Sequence, residues 1–182
     1  MPFLETSIPN LIIFEPKVWE DKRGYFFESY NQATFQAAGL DYTFIQDNEA
    51  KSSKGVLRGL HFQKGAASQA KLVRVTEGAV FDAVVDLRSG SPTYGQSFGT
   101  MLSAENKRQL LIPRGFAHGY LVTSETAVFN YKCDNIYNRD AEGGLAYNDP
   151  TANVAWPQID VPYLLSDKDQ EWPGLEELET DF

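Results

Sequence analysis

RQLLIPRGFAHGYLVTSETAVFNYKC, residues 108–133, decides the fold class. It holds three runs of β-forming residues: RQLLI (108–112), GYLVT (119–123) and TAVFNYKC (126–133). A turn signal, Pro113 to Gly115, separates the first two. Short β-branched and aromatic runs between turn formers read as strands. The pattern extends toward the N-terminus through LIIF (11–14), YFFESY (25–30), VLRGLHF (56–62), KLVRV (71–75) and AVFDAVVDL (79–87). Turn formers punctuate these as well, at Asp21 to Gly24, Glu77-Gly78 and Ser89 to Pro92. So many short strands predict an all-β sandwich or barrel. One early helix is predicted from Asn31 as N-cap to Gly39 as stop, and a second short one near Ser166.

Alternation along a strand assigns side chains to faces. In 126–133, Ala127, Phe129, Tyr131 and Cys133 share an apolar, hence inward, face. Tyr131 then enters the interior with a hydroxyl that needs a partner. Lys71 shares a face with Val73 and Val75, so it is either a strand-end lysine snorkelling out or one placed inside. His61 has the parity of Leu57, Gly59 and Gln63; Arg58 has the opposite parity unless Gly59 introduces a bulge.

Composition narrows the function. At 182 residues the chain suits one domain, 1–182, with no repeat or linker. A net charge of −9 argues against nucleic acid and anionic membrane as partners, so any phosphate ligand requires locally gathered basic groups. No apolar run approaches the roughly 18 residues a membrane span needs. MPFLETSIPNLIIF lacks the basic and small-residue features of a signal peptide. The single cysteine, Cys133, cannot form an internal disulfide and reads as a core filler; together these place the protein in the cytoplasm. Residues 170–182 carry the acidic excess and read as a solvated tail or short terminal helix.

The two histidines, His61 and His118, hold the chemistry. Pro113-Arg-Gly-Phe-Ala-His118 has the P-x-G-x-x-H spacing of the second cupin motif. Where cupins usually carry H-x-H, this chain has His61-Phe62-Gln63. Two histidines with a broken pair make a poor transition-metal site, so no metal and no cofactor are expected. The chain resembles the dTDP-4-dehydrorhamnose 3,5-epimerases, a metal-independent cupin family, over Ile8 to about Asp169. Carriers of the likeness are FEPKVWEDKRGYFFESYN (14–31), FIQDN (44–48), VLRGLHFQ (56–63), KLVRV (71–75), DLRSGSPTYG (86–95), LSAENKRQLLIPRGFAHGYLV (102–122), YKCDNIY (131–137) and LSDKD (165–169). Two departures stand out: Ala70 precedes the lysine where glycine is usual, and Ile136 stands where an aromatic often precedes Tyr137.

The resemblance implies a cupin-type jelly roll, or double-stranded β-helix, with the site in its mouth. It implies homodimers that exchange N-terminal strands, here residues 1–14. The implied reaction is epimerisation of dTDP-4-dehydro-6-deoxy-D-glucose at carbons 3 and 5, giving dTDP-4-dehydro-L-rhamnose for dTDP-L-rhamnose and so for lipopolysaccharide or cell-wall polysaccharide. His61 corresponds to the base, Asp169 to its carboxylate partner, Lys71 to the enolate stabiliser and Tyr131 to the acid. Arg23, Phe26, Glu28, Gln46, Asp47, Asn48, Arg58, His118, Tyr137, Glu142 and Lys168 match positions that contact the sugar nucleotide. Arg23 and Arg58 suit the diphosphate, and Tyr137 the stack on thymine. Phe26 is expected to pack on the ligand.

Read singly, these residues have blander meanings. His61 would be a hydrogen-bonded core histidine, Tyr131 a core tyrosine, Asp169 a helix-start carboxylate and Arg23 an exposed turn arginine. Tyr94 and the three tryptophans read as structural. Three rival functions remain: a single-position epimerase of a related dTDP-4-keto sugar, a non-catalytic cupin that binds a sugar nucleotide, and a metal-dependent oxygenase.

Overall fold

The computed structural model describes residues 2–180 and 182. The chain begins with β1 (Phe3–Glu5), β2 (Ile12–Phe14), β3 (Trp19–Asp21) and β4 (Gly24–Phe26), followed by helix α1 (Gln32–Ala37). Next come β5 (Gln46–Ser53), β6 (Leu57–Gln63), β7 (Lys71–Glu77), β8 (Ala79–Asp86) and β9 (Ser97–Ser103). Then follow β10 (Gln109–Ile112), β11 (Phe116–Val122), β12 (Thr126–Cys133), β13 (Glu142–Gly144) and helix α2 (Asp167–Gln170). All strand pairs are antiparallel: a six-stranded sheet ordered β1-β2-β10-β7-β12-β5, a five-stranded sheet ordered β13-β6-β11-β8-β9, and a β3-β4 hairpin. This is the all-β jelly-roll architecture the sequence predicts.

The main core lies between the two sheets. Val73 and Val75 of β7, Val80 and Val84 of β8, Tyr120 and Val122 of β11, and Ala127 and Phe129 of β12 are all in it. Burying a side chain of Phe129's size contributes about 1.5–3 kcal/mol, and that ring is 1% exposed. Both predicted helices form where expected. The Asn31 carboxamide oxygen accepts from the backbone N–H groups of Ala33 and Thr34, and the Ser166 hydroxyl accepts from that of Asp169.

Several expectations need correction. The 25–30 run is strand only to Phe26. β5 was not foreseen, because its sequence QDNEAKSS is polar throughout. It is an edge strand whose inward residues Gln46, Asn48 and Ala50 border cavities, with Ser52 buried beside them, and whose outward residues face solvent. β9, another unforeseen edge, carries Gly99, where a Cβ would come within 2.1 Å of the Phe81 ring. Residues 170–182, which include the undescribed Asp181, are not simply solvated. Leu175 is buried, and Phe182 sits edge-on to Phe62 at 5.7 Å in a second core with Leu60, Val85 and Leu145. The candidate exchanged strands 1–14, of which Met1 is undescribed, are a matter of assembly and not of the single chain, within which β1 pairs with β2 and β2 with β10.

DLRSGSPTYG (86–95) acts as a staple for the fold. The fully buried Asp86 carboxylate accepts from Arg88 Nε and Nη2, Ser91 Oγ and Thr93 Oγ1. Burial works against its charge, but these donors outweigh burial and hold the carboxyl down at about 2.

One irregularity positions the site. β11 pairs His118 with His61 but Tyr120 with Arg58, so two steps on β11 span three on β6. The extra residue falls at Gly59-Leu60, and Gly59 has φ +120°. A Cβ at Gly59 would lie 2.6 Å from Gly119 Cα and 2.7 Å from the His118 carbonyl oxygen. The bulge reverses the parity of β6, so Arg58 and His61 end up lining one cavity.

Candidate active site

Two adjoining cavities open between the sheets, of about 500 and about 350 Å³. His61, Lys71 and Tyr131 border both. His61 projects from β6 in the five-stranded sheet; Lys71 and Tyr131 project from β7 and β12 in the six-stranded one. An imidazole and a phenol thus reach the same space from opposing walls.

His61 Nε2 lies 2.5 Å from Asp169 Oδ1, across 108 residues of sequence. Asp169 is 4% exposed, and Trp172 Nε1 donates to the same oxygen at 3.3 Å. Burial opposes ionisation of Asp169, but the His61, Ser166 and Trp172 hydrogen bonds win and hold its carboxyl below the usual carboxylate value. A carboxylate fixed on Nε2 leaves Nδ1 as the nitrogen free for chemistry. Trp172 packs flat over Gly144, where a Cβ would come within 2.2 Å of the indole. Gly144 is paired with His61 across the β13–β6 ladder.

His118 Nε2 lies 3.0 and 3.1 Å from the two oxygens of Asp82, which is fully buried. Burial lowers the His118 imidazole and raises the Asp82 carboxyl. Burial also pulls Lys71 below the usual lysine value, opposed by Cys133, Asp82 and Glu142. Lys71 therefore sits at a strand end yet faces inward. Burial raises the Tyr131 phenol, so it carries its proton at neutral pH. Cys133 is buried and its thiol is pushed up to about 11, chiefly by burial, as suits a core filler.

The smaller cavity is lined by Gln46, Asn48, Gln63, Tyr137 and Glu142 among others. Tyr137 Oη donates to Glu142 Oε2 at 3.1 Å, and Lys168 Nζ donates to Glu142 Oε1 at 2.7 Å. The Tyr137 ring is exposed and free to receive a flat ligand. The clefts thus join acid-base groups to an aromatic, amide-lined lobe.

The family model for dTDP-4-dehydrorhamnose 3,5-epimerase matches residues 5–177. A dTDP-4-dehydrorhamnose 3,5-epimerase of Salmonella typhimurium is 53% identical over 178 residues, covering 97% of each chain. The chain belongs to the dTDP-4-dehydrorhamnose 3,5-epimerase family. Two solved structures of this kind superpose on it closely. A dTDP-6-deoxy-D-glucose-3,5-epimerase of Legionella pneumophila, in complex with dTDP-4-keto-L-rhamnose, gives a TM-score of 0.93 at 45% identity over 97% of this chain and 94% of that one. A 3'-monoepimerase of Streptomyces bikiniensis in complex with dTDP-quinovose gives 0.88 at 34% identity over 94% and 86%.

Of the residues this epimerase family suggests, His61, Lys71, Tyr131, Asp169, Arg58, His118 and Lys168 border the larger cavity. Gln46, Asn48, Tyr137 and Glu142 border the smaller one. Four others lie apart from both. Asp47 points outward on β5, where Lys132 Nζ donates to it at 2.7 Å; alternation along the strand separates it from its neighbours Gln46 and Asn48. Arg23 is exposed and paired with Asp21, Phe26 is 66% exposed beside Trp19, and Glu28 borders a separate groove with Phe14 and Trp19. Asp82 and Trp172 were not singled out in the sequence. Asp82 had a legible signal: it is an acidic residue inside the apolar run AVFDAVVDL. Among the described residues, no three or more His, Cys, Asp or Glu side chains gather where they could hold a metal ion. Nor is any described helix long and apolar enough to cross a membrane.

Proposed function

We propose that this chain is an isomerase that epimerises dTDP-4-dehydro-6-deoxy-D-glucose at carbons 3 and 5, yielding dTDP-4-dehydro-L-rhamnose. The supporting observation is the shared cavity that His61 and Tyr131 enter from opposite sheets. The keto group at carbon 4 acidifies the hydrogens on carbons 3 and 5. His61, oriented by Asp169, removes one of these protons, and the electron pair moves into an enolate. The Lys71 ammonium meets the developing charge on the carbonyl oxygen. Tyr131 returns a proton to carbon 5 from the opposite ring face, so that centre inverts; His61 likewise removes the carbon-3 proton, and solvent reprotonates that second enolate from the opposite face. Thymine stacks on Tyr137, and Arg58 and Lys168 face the diphosphate. No step requires a metal or a redox cofactor.

Proton NMR in heavy water with this keto-sugar tests the reading. The expected result is deuterium at both carbon 3 and carbon 5 of the product. Label at carbon 3 alone would make the protein a single-position epimerase, and no exchange at either carbon would leave only a binding role.

The working unit we propose is a homodimer. Arg23, Phe26, Trp19 and Tyr25 stand exposed on the β3-β4 hairpin, away from their own chain's cleft. A partner's hairpin would bring Arg23 and Phe26 to the sugar nucleotide. Sedimentation velocity should read a dimer; a fully active monomer would remove this part of the reading.

A further inference from the structure

Tyr120 is a buried polar group that the proposed chemistry leaves unused. It is 5% exposed and lines the larger cavity. Its Oη is the only buried side-chain polar atom among the described residues without a hydrogen-bond partner. Ser52 and Arg58 stand close enough to bias its titration, yet neither closes a hydrogen bond to it. The Ser52 hydroxyl accepts from Arg58 Nε and Nη2, both at 3.2 Å. The Tyr120 ring stacks on Phe129 at 4.1 Å, a contact phenylalanine would make equally well. Packing therefore accounts for the ring and not for the oxygen, and an orphaned buried hydroxyl calls for a ligand.

We propose that Tyr120 is a specificity-determining residue whose phenol hydrogen-bonds the carbon-2 hydroxyl of the bound hexose. The inference rests on the reading of the cleft as a dTDP-keto-hexose site. Tyr120 follows His118 by two residues on β11, as Tyr131 follows Phe129 on β12. Tyr120 and Phe129 thus form the layer beside the one that holds His118, His61 and Tyr131, roughly 7 Å along the strands. Arg58 is register-paired with Tyr120 and exposed at the rim, where a diphosphate stays hydrated. The walls at Ala50, Val56 and Phe129 are apolar and would exclude its charge. In a hexose the diphosphate leaves carbon 1, and the next hydroxyl is on carbon 2. With carbons 3 to 5 against His61 and Tyr131 and the diphosphate at Arg58, that hydroxyl falls in the intervening layer. Burial keeps the phenol protonated and able to donate.

Calorimetric titration of the wild type and Tyr120→Phe with dTDP-glucose, dTDP-2-deoxyglucose and dTDP tests this. Neither sugar carries a keto group, so neither turns over. The wild type should bind dTDP-glucose roughly five- to tenfold more tightly than the 2-deoxy analogue, the worth of one hydrogen bond. Tyr120→Phe should bind the two sugars about equally, bind dTDP as the wild type does, and melt no lower than the wild type. Discrimination that survives in the variant, or is absent from the wild type, would overturn the proposal. So would an equal loss for all three ligands, which marks a structural role. The wild-type comparison stands even if the variant fails to fold. A wild type that binds no dTDP would sink the site reading itself, and this inference with it.

Discussion

His61→Ala should lower turnover of the keto-sugar by about 10²–10⁴-fold, the usual contribution of a positioned general base. A coupled assay with an NADPH-dependent reductase acting on the product reads it, and heavy-water exchange reads the proton-abstraction step. Both should fall together, because abstraction precedes everything else. His118 cannot take over: its Nε2 is held on buried Asp82, and burial lowers its affinity for a proton. dTDP binding should persist, since Tyr137, Glu142 and Arg58 are untouched. Asp169→Asn should also lower turnover strongly, by up to about 10⁴-fold, because the imidazole remains but the amide no longer holds it in the tautomer a base needs. The same variant gives a stability signature. Asp169 titrates below its ordinary 3.8 in the folded protein, so its ionised pairing stabilises the fold above that value. This contribution is lost as the pH falls through the depressed folded value. The melting-temperature gap between wild type and Asp169→Asn should therefore be present at neutral pH and close in acid. Near-normal turnover in His61→Ala would discard the proposed chemistry and favour a non-catalytic sugar-nucleotide binder.

Tyr131→Phe should lower product formation by about 10²-fold or more while leaving proton abstraction largely intact. The acid and base stand on different sheets, so removing one leaves the other in place. The enolate would still form at His61 and Lys71, then recapture a solvent-derived proton from the base side. Deuterium should enter the substrate without inversion at carbon 5. The Tyr131 hydroxyl makes no hydrogen bond of the kind that braces Asp169 or Asp82, so the variant should fold normally. Product at the wild-type rate would remove Tyr131 from the acid role. Simultaneous loss of exchange and product would instead make it part of the abstraction step.

Much of this arrangement was legible in the residue order. Strand alternation placed Tyr131, Phe129 and Cys133 on one inward face, and Lys71 with Val73 and Val75 on another. Both helix starts followed from Asn31 and Ser166. β5 escaped because its inner face lines a polar cavity, so the hydrophobic half of the usual alternation is missing. Asp47, which the family resemblance grouped with Gln46 and Asn48, is turned to solvent by the alternation of β5.

The residue order by itself determined the all-β class, the inward faces of β7 and β12, and the absence of a three-histidine set. These are local properties, set by a two-residue period and by composition. Tertiary structure decided the rest. The His61–Asp169 contact joins groups 108 positions apart. The bulge at Gly59 brings Arg58 to the same cavity as His61, and the orphaned Tyr120 hydroxyl emerges only once two sheets close over it. Such contacts depend on how sheets pair and stack, and no local periodicity encodes the distance between residues on different sheets.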